Sequence, residues 1–186
     1  MTFAPAALVG ESFVGTGVNA AHTNIVVGRK GGPVETAWAT ALATPSAGHV
    51  PFVTVVRPGV PVKPLTLFVT KAAASGDLHE RATWGSAQAG LAQGVADAVE
   101  HGLIPAAEAD DLLIIAAIWV NPGVADLDES FRNQRAAAFG AIRAAVAGTP
   151  TADDVRAAAR AGAANPFYEP GAALLAESAP APEAAR

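Results

Sequence analysis

Nine consecutive apolar residues, Leu112-Leu-Ile-Ile-Ala-Ala-Ile-Trp-Val120, constrain the fold of this chain more than any other segment. A strand with one face in water alternates apolar and polar side chains. This run does not alternate, which predicts a central strand buried on both faces. It is also the longest apolar run present and falls well short of the ~20 residues that a helix needs to cross a bilayer, so no membrane-spanning segment is expected.

The flanking sequence supplies the rest of an α/β (α+β) domain. Ala6 to Val14 and Ala20 to Gly28 read as an antiparallel pair of strands, with Gly15 and Gly17 marking the turn between them. Pro33 suits the first turn of a helix through Leu42, because its missing N–H has no partner to lose there. Phe52 to Val56 and Leu65 to Lys71 read as strands separated by a stiff loop carrying Pro58, Pro61 and Pro64. From Gly85 the period becomes helical: Leu91, Val95, Ala98 and Val99 share one face, and Gly102 supplies a stop. Pro105 to Asp111 suggests a short helical turn, and Asp126 to Ala147 a long helix with its acidic residues first, as the helix dipole favours. Thr151-Ala-Asp-Asp154 has the spacing of a capping box. No linker is evident before Asn165, so residues 1–170 are expected to form a single compact domain and 171–186 an Ala/Pro-rich flexible tail.

Charge and composition narrow the function. A net charge of −5 with 12 Lys and Arg leaves no basic footprint for a phosphate backbone, so nucleic acid is not an expected partner. Cysteine is absent, which removes disulfides, thiolate nucleophiles and Cys-ligated metals. The first basic residue is Arg29, without the positive start of a secretory signal, and a cytoplasmic location is expected. His22, His49, His79 and His101 are too widely spaced for a local metal motif, and no metal is expected. Gly15-Thr-Gly17-Val-Asn-Ala20 mimics a dinucleotide fingerprint, but Thr23, Ile25, Val26 and Val27 favour a strand where that fingerprint needs a helix.

Several side chains remain as candidates. Alternation puts His22 and Asn24 on one strand face, beside the glycine turn, where a solvated or core-satisfied histidine and a catalytic one are both open. Lys63 and Lys71 flank an uncharged stretch. Either is a surface lysine or an ammonium held against an apolar pocket to meet an acidic group. Gln88 is a surface amide or a reader of a heterocycle's donor and acceptor edge.

Taken together, Val9-Gly-Glu-Ser-Phe-Val-Gly-Thr-Gly17, Ala21-His22 leading to Gly28, Pro33-Val-Glu-Thr-Ala37, Lys63-Pro64, Thr66-Leu67, Lys71, Gly85-Ser-Ala-Gln-Ala-Gly90, Asp97-Ala-Val99 and Ile104-Pro-Ala-Ala-Glu-Ala-Asp-Asp-Leu112 resemble the formaldehyde-activating enzyme family, in one register from about Gly10 to Leu112. The resemblance implies a fold like ribosomal S5 domain 2 and a homopentamer with a pterin cleft between neighbouring subunits. The implied reaction is condensation of formaldehyde with tetrahydromethanopterin to methylene-tetrahydromethanopterin and water, a carbon–oxygen lyase activity. It puts the catalytic histidine on His22 and pterin contacts on Asn24, Val53, Lys71 and Gln88. The family's aspartate two residues after the histidine is Asn24 here, its leucine is Val53, and its threonine two after the lysine is Ala73. A carbinolamine must lose hydroxide, a poor leaving group, and a histidine near neutrality can donate the required proton. The other class consistent with these residues is a homologue that binds or senses a pterin, folate or aldehyde with little or no turnover.

Overall fold

The structure, a computed structural model that describes residues 6–175, puts the apolar run at the centre of its sheet. In chain order the strands are β1 (Leu8–Val14), β2 (Ala21–Arg29), β3 (Pro51–Val53), β4 (Val55–Arg57), β5 (Val60–Pro61), β6 (Leu65–Thr70) and β7 (Leu112–Val120). The helices are α1 (Pro33–Ala43), α2 (Gly76–Arg81), α3 (Gln88–Glu100), α4 (Leu127–Ala147), α5 (Ala152–Arg160) and α6 (Ala172–Leu175). Five strands form the main sheet in the order β1-β2-β7-β6-β3, and β4 pairs with β5 in a separate ribbon. Every pairing is antiparallel except β6 with β7. Parallel neighbours need a crossover connection, and α2 and α3 supply it.

Alternation along β2 decides what each face of the sheet meets. Thr23, Ile25 and Val27 are buried on the inner face, whereas His22, Asn24 and Val26 are half-buried on the outer one. The inner face is covered by α3 and α4. Leu91, Val95 and Ala98 from α3 and Ala138, Ala141 and Ile142 from α4 join Ile25, Phe68, Ile114 and Ile118 in one core. Each fully buried Leu, Ile or Phe contributes about 1.5–3 kcal/mol, which makes this layer the main source of stability.

Two glycines let the helices of that layer meet backbone to backbone. A Cβ on Gly94 would stand 2.5 Å from the Arg135 carbonyl oxygen, and one on Gly90 would stand 2.6 Å from that of Phe131. Arg135 closes the contact from its open side by donating Nε to Asp97 Oδ2 at 2.5 Å and Nη2 to Oδ1 at 3.1 Å. Burial pushes the Asp97 carboxyl up, but hydrogen bonds from Arg135 and Gln93 and the Arg135 charge outweigh it and hold the group below its ordinary value.

The outer face is only partly covered. A Cβ on Gly28 would meet Val34 Cγ2 at 2.4 Å, so the start of α1 lies directly on the Gly28 end of β2. Val34 is the one buried residue of α1. Six positions along the strand, His22 lies on the part of this face that α1 leaves open.

Elsewhere the structure differs from the sequence expectations. The strand expected over Phe52 to Val56 divides at Thr54, whose N–H donates to the Thr66 carbonyl at 2.8 Å and whose carbonyl accepts from Val62 N–H at 3.1 Å. Those two bonds point the chain out of the main sheet and into the β4–β5 ribbon. The helix expected from Gly85 begins earlier: α2 runs into a wider π-type turn over Ala82–Ala87 and then into α3. Within the chain two compact units can be told apart, with the boundary between Thr149 and Pro150. Within the second unit, Thr151 and Asp154 form the expected capping box, and α5 buries no residue. Of the expected tail, Ala172–Leu175 form one helical turn, and 176–186 lie outside the described residues.

Candidate functional site

Strand pairing arranges the open outer face in rows. Phe13 of β1 stands opposite His22 of β2, and His22 opposite Trp119 of β7. Thr70 of β6 is level with Ile118, and the next residue, Lys71, extends that ladder by donating its N–H to the Ile118 carbonyl at 2.9 Å. Lys71 therefore comes level with Trp119, and with strands about 4.8 Å apart it flanks the indole position from the side opposite His22. The neighbouring row reads Glu11, Asn24, Ala117 and Val69. Three of the predicted residues, His22, Asn24 and Lys71, thus share one patch.

The chemistry of the patch is set by charge and burial together. His22 Nε2 lies 3.0 Å from Glu11 Oε1, and the Phe13 ring is tilted against the imidazole at a centroid distance of 5.7 Å. Burial pushes the His22 imidazole below its ordinary value, and the Lys71 ammonium pushes the same way. The Glu11 carboxylate opposes both through its charge and hydrogen bond without restoring the balance. Burial likewise lowers Lys71, again opposed by Glu11. Burial and the Lys71 charge thus favour the neutral imidazole while Glu11 favours the protonated one, a balance suited to taking and returning a proton. Beside it, Asn24 Oδ1 is buried with no hydrogen-bond partner in the described protein. An acceptor desolvated in this way is costly unless a donor reaches it.

Val53 and Gln88 lie elsewhere. Gln88 Nε2 donates to the Val55 carbonyl at 2.7 Å, which ties the first residue of α3 to the chain just beyond Val53. Phe52, the residue before Val53, faces the core instead, stacked on Phe68 at 4.7 Å and tilted against Trp84 at 5.3 Å. Val53 is level with Leu67, Ile115 and Val26, so it stands three strands across and four positions along from His22. Those offsets amount to about 20 Å, and one copy of the chain does not bring the two groups onto a single small molecule.

The remaining candidates resolve into structural roles. Lys63 pairs with Asp110 at the surface, 2.6 Å away. His79 is buried: its Nδ1 accepts from Ser75 N–H at 2.9 Å, and its Nε2 lies 3.1 Å from the Val120 carbonyl. No three His, Cys, Asp or Glu side chains gather as metal ligands among the described residues. After Gly17 the chain makes a single 3₁₀ turn over Gly17–Asn19 and enters β2, so no helix follows the glycine pair. Glu11 was not singled out by sequence. The β1–β2 register, set across a six-residue connection, puts it diagonally across from His22.

Comparison with known proteins bears on the same residues. A family model described as formaldehyde-activating enzyme (Fae) matches residues 9–168, which takes in both groups. The chain is 40% identical over 148 residues to the bifunctional enzyme Fae/Hps of Methanococcoides burtonii, covering 80% of this chain and 37% of that protein. It is 38% identical over 147 residues to the enzyme of the same name from Methanosarcina mazei, covering 79% and 38%. Against the 5,6,7,8-tetrahydromethanopterin hydro-lyase of Methanosarcina barkeri it is 36% identical over 150 residues, covering 81% of this chain and 84% of the relative. The chain thus spans less than two fifths of the bifunctional relatives and most of the hydro-lyase. A match running from Val9 in β1 past α5, at this identity, includes all but one residue of the main sheet and both residue groups, and the chain belongs to the formaldehyde-activating enzyme family.

Proposed function

We propose that this chain condenses formaldehyde with tetrahydromethanopterin, giving methylene-tetrahydromethanopterin and water, with His22 as the proton-transferring residue. The observation that carries the reading is the His22–Glu11–Lys71 patch on the open sheet face of a chain in this family. In this reading, the His22 imidazolium donates a proton to the hydroxyl that departs as water, and the imidazole recovers one as the second amine closes the methylene bridge. The proton count is unchanged over a turnover. Lys71 offers positive charge to an acidic or carbonyl edge, Asn24 Oδ1 accepts from a ring N–H, and Gln88 and Val53 hold the heterocycle from the other side.

The separation of about 20 Å between the two residue groups is met if the site is shared between copies, with His22, Asn24 and Lys71 from one subunit and Val53 and Gln88 from its neighbour. A pentamer is the expected closed assembly. Five copies of the 18.6 kDa chain give about 93 kDa by light scattering; a monomeric mass at micromolar concentration contradicts a shared site. The activity test mixes protein, formaldehyde and tetrahydromethanopterin against a protein-free control, with tetrahydrofolate in parallel. Acceleration with the methanopterin alone supports the reading. Tight pterin binding without acceleration supports the binding homologue instead.

Asn24 provides a graded check. An aspartate there sets a second carboxylate on the His22 face, which favours imidazolium. Asn24→Asp is expected to raise the His22 pKa and to move the optimum of condensation to higher pH, because the protonated form then persists further up the scale. A pH–rate profile unchanged by the substitution removes Asn24 from the site.

A further inference from the structure

We infer that Glu11 is the positioning residue for His22: its carboxylate holds the imidazole through Nε2 and leaves Nδ1 as the atom that exchanges the proton with substrate. The assignment of Nδ1 to substrate rests on the condensation reading above, whereas the Glu11–His22 pair rests on geometry. A carboxylate only accepts hydrogen bonds, so an imidazole nitrogen 3.0 Å from Glu11 Oε1 carries the hydrogen whether the ring is neutral or charged. The neutral ring then has its lone pair on Nδ1. Fixing one ring nitrogen in this way sets both the tautomer and the orientation of a histidine.

Glu11 is opposite Asn24 in the β1–β2 register, two residues along the strand and so diagonal to His22 on the same face, a separation that a long side chain spans. The charged groups that act on the imidazole are Glu11 from β1 and Lys71 at the end of β6. The facing positions of β7 are Trp119 and Ala117, the next outward residue of β2 is the neutral Asn24, and the α1 carboxylate, Glu35, is engaged by Gly31 N–H at 2.8 Å. Among the described residues, Glu11 is thus the carboxylate set against the combined effect of burial and the Lys71 charge. The negative partner that this site keeps for its histidine comes from the edge strand and not from the position two residues after the histidine.

The test is a ring ¹⁵N and ¹H NMR titration of the full chain, wild type against Glu11→Gln and Glu11→Asp, with condensation rates measured across the same pH range. In Glu11→Gln the His22 midpoint is expected to move down and the Nε2–H tautomer to lose its dominance. Turnover is expected to fall about ten- to a hundredfold, less than the ~10²–10⁴ associated with losing an acid–base group outright, with its pH optimum displaced downward. Glu11→Asp, which keeps the charge on a shorter arm, should recover part of the midpoint and part of the rate. An unchanged His22 midpoint and tautomer in Glu11→Gln overturns the assignment, whatever the rate does. If the titrations respond as expected but the wild type condenses nothing, the pair stands and the reaction reading falls.

Discussion

Replacing His22 by alanine is expected to lower turnover in formaldehyde condensation by about 10²–10⁴-fold, the usual contribution of a positioned acid–base group, with the fold retained. Its side chain is one-third exposed, on the part of the outer face that α1 does not reach, so its removal opens no cavity in the core. The partner left behind, Glu11, is itself 60% exposed and returns to water without stranding a charge. Substitutions of this kind usually shift stability by no more than about 0.5 kcal/mol, and the thermal midpoint should stay close to that of the wild type. Some acceleration over the spontaneous reaction should persist, because gathering the two reactants is independent of the imidazole. Initial rates corrected for the uncatalysed background, together with a thermal scan, check both halves. A His22→Ala protein that turns over at the wild-type rate returns the residue to a structural role.

The largest effect on stability is expected at a glycine remote from that face. Gly94→Ala should destabilise the protein by about 3 kcal/mol or more, a substantial part of the ~5–15 kcal/mol typical of a domain. The new methyl meets the Arg135 carbonyl oxygen at 2.5 Å and the Ala138 Cβ at 2.7 Å. A backbone carbonyl cannot rotate aside as a long side chain can, so α3 and α4 have to separate, and the Arg135–Asp97 hydrogen bonds stretch with them. Against this, alanine gains only about 1 kcal/mol over glycine in helix propensity. Gly85→Ala serves as the control, since a Cβ there meets nothing within 4 Å; it should be neutral or slightly stabilising. The urea midpoint of Gly94→Ala should therefore fall while that of Gly85→Ala holds or rises slightly, and a Gly94→Ala midpoint at or above that of the wild type means that the helices are not locked at this point.

Much of this architecture is legible in the amino-acid order, and its exceptions have identifiable causes. The run Leu112–Val120 leaves no polar face to expose, which fixes its central place before any partner is known. Alternation in β2 separates His22 and Asn24 from Thr23 and Ile25, and the caps at Asp126 and Thr151 mark helix starts through side chains that bind the first free N–H groups. Thr54 defeats the pattern because its hydrogen bonds go to Thr66 and Val62, partners whose approach depends on the fold. Gly90 and Gly94 look like weak points in a helix until the helix that packs on them is known. Family resemblance and structure together bring His22, Asn24 and Lys71 to one patch, whereas Val53 and Gln88 are distant within a single copy. Nothing in the order of residues around Glu11 distinguishes it from an ordinary edge-strand carboxylate. Only the pairing register gives it a histidine.

The order in which strands occur along the chain has a consequence for synthesis. β1 and β2 leave the ribosome first, but the other edge of β2 is closed by β7, whose Ile114 pairs with Val27. At about 5–20 residues per second, the roughly ninety residues between them take about 4–20 s to make. Throughout that interval the nascent hairpin presents an unpaired edge and the apolar Ile25 and Val27, the combination that recruits other strands. The long apolar strand that organises the finished sheet therefore arrives late, and the early hairpin keeps its open edge until it does.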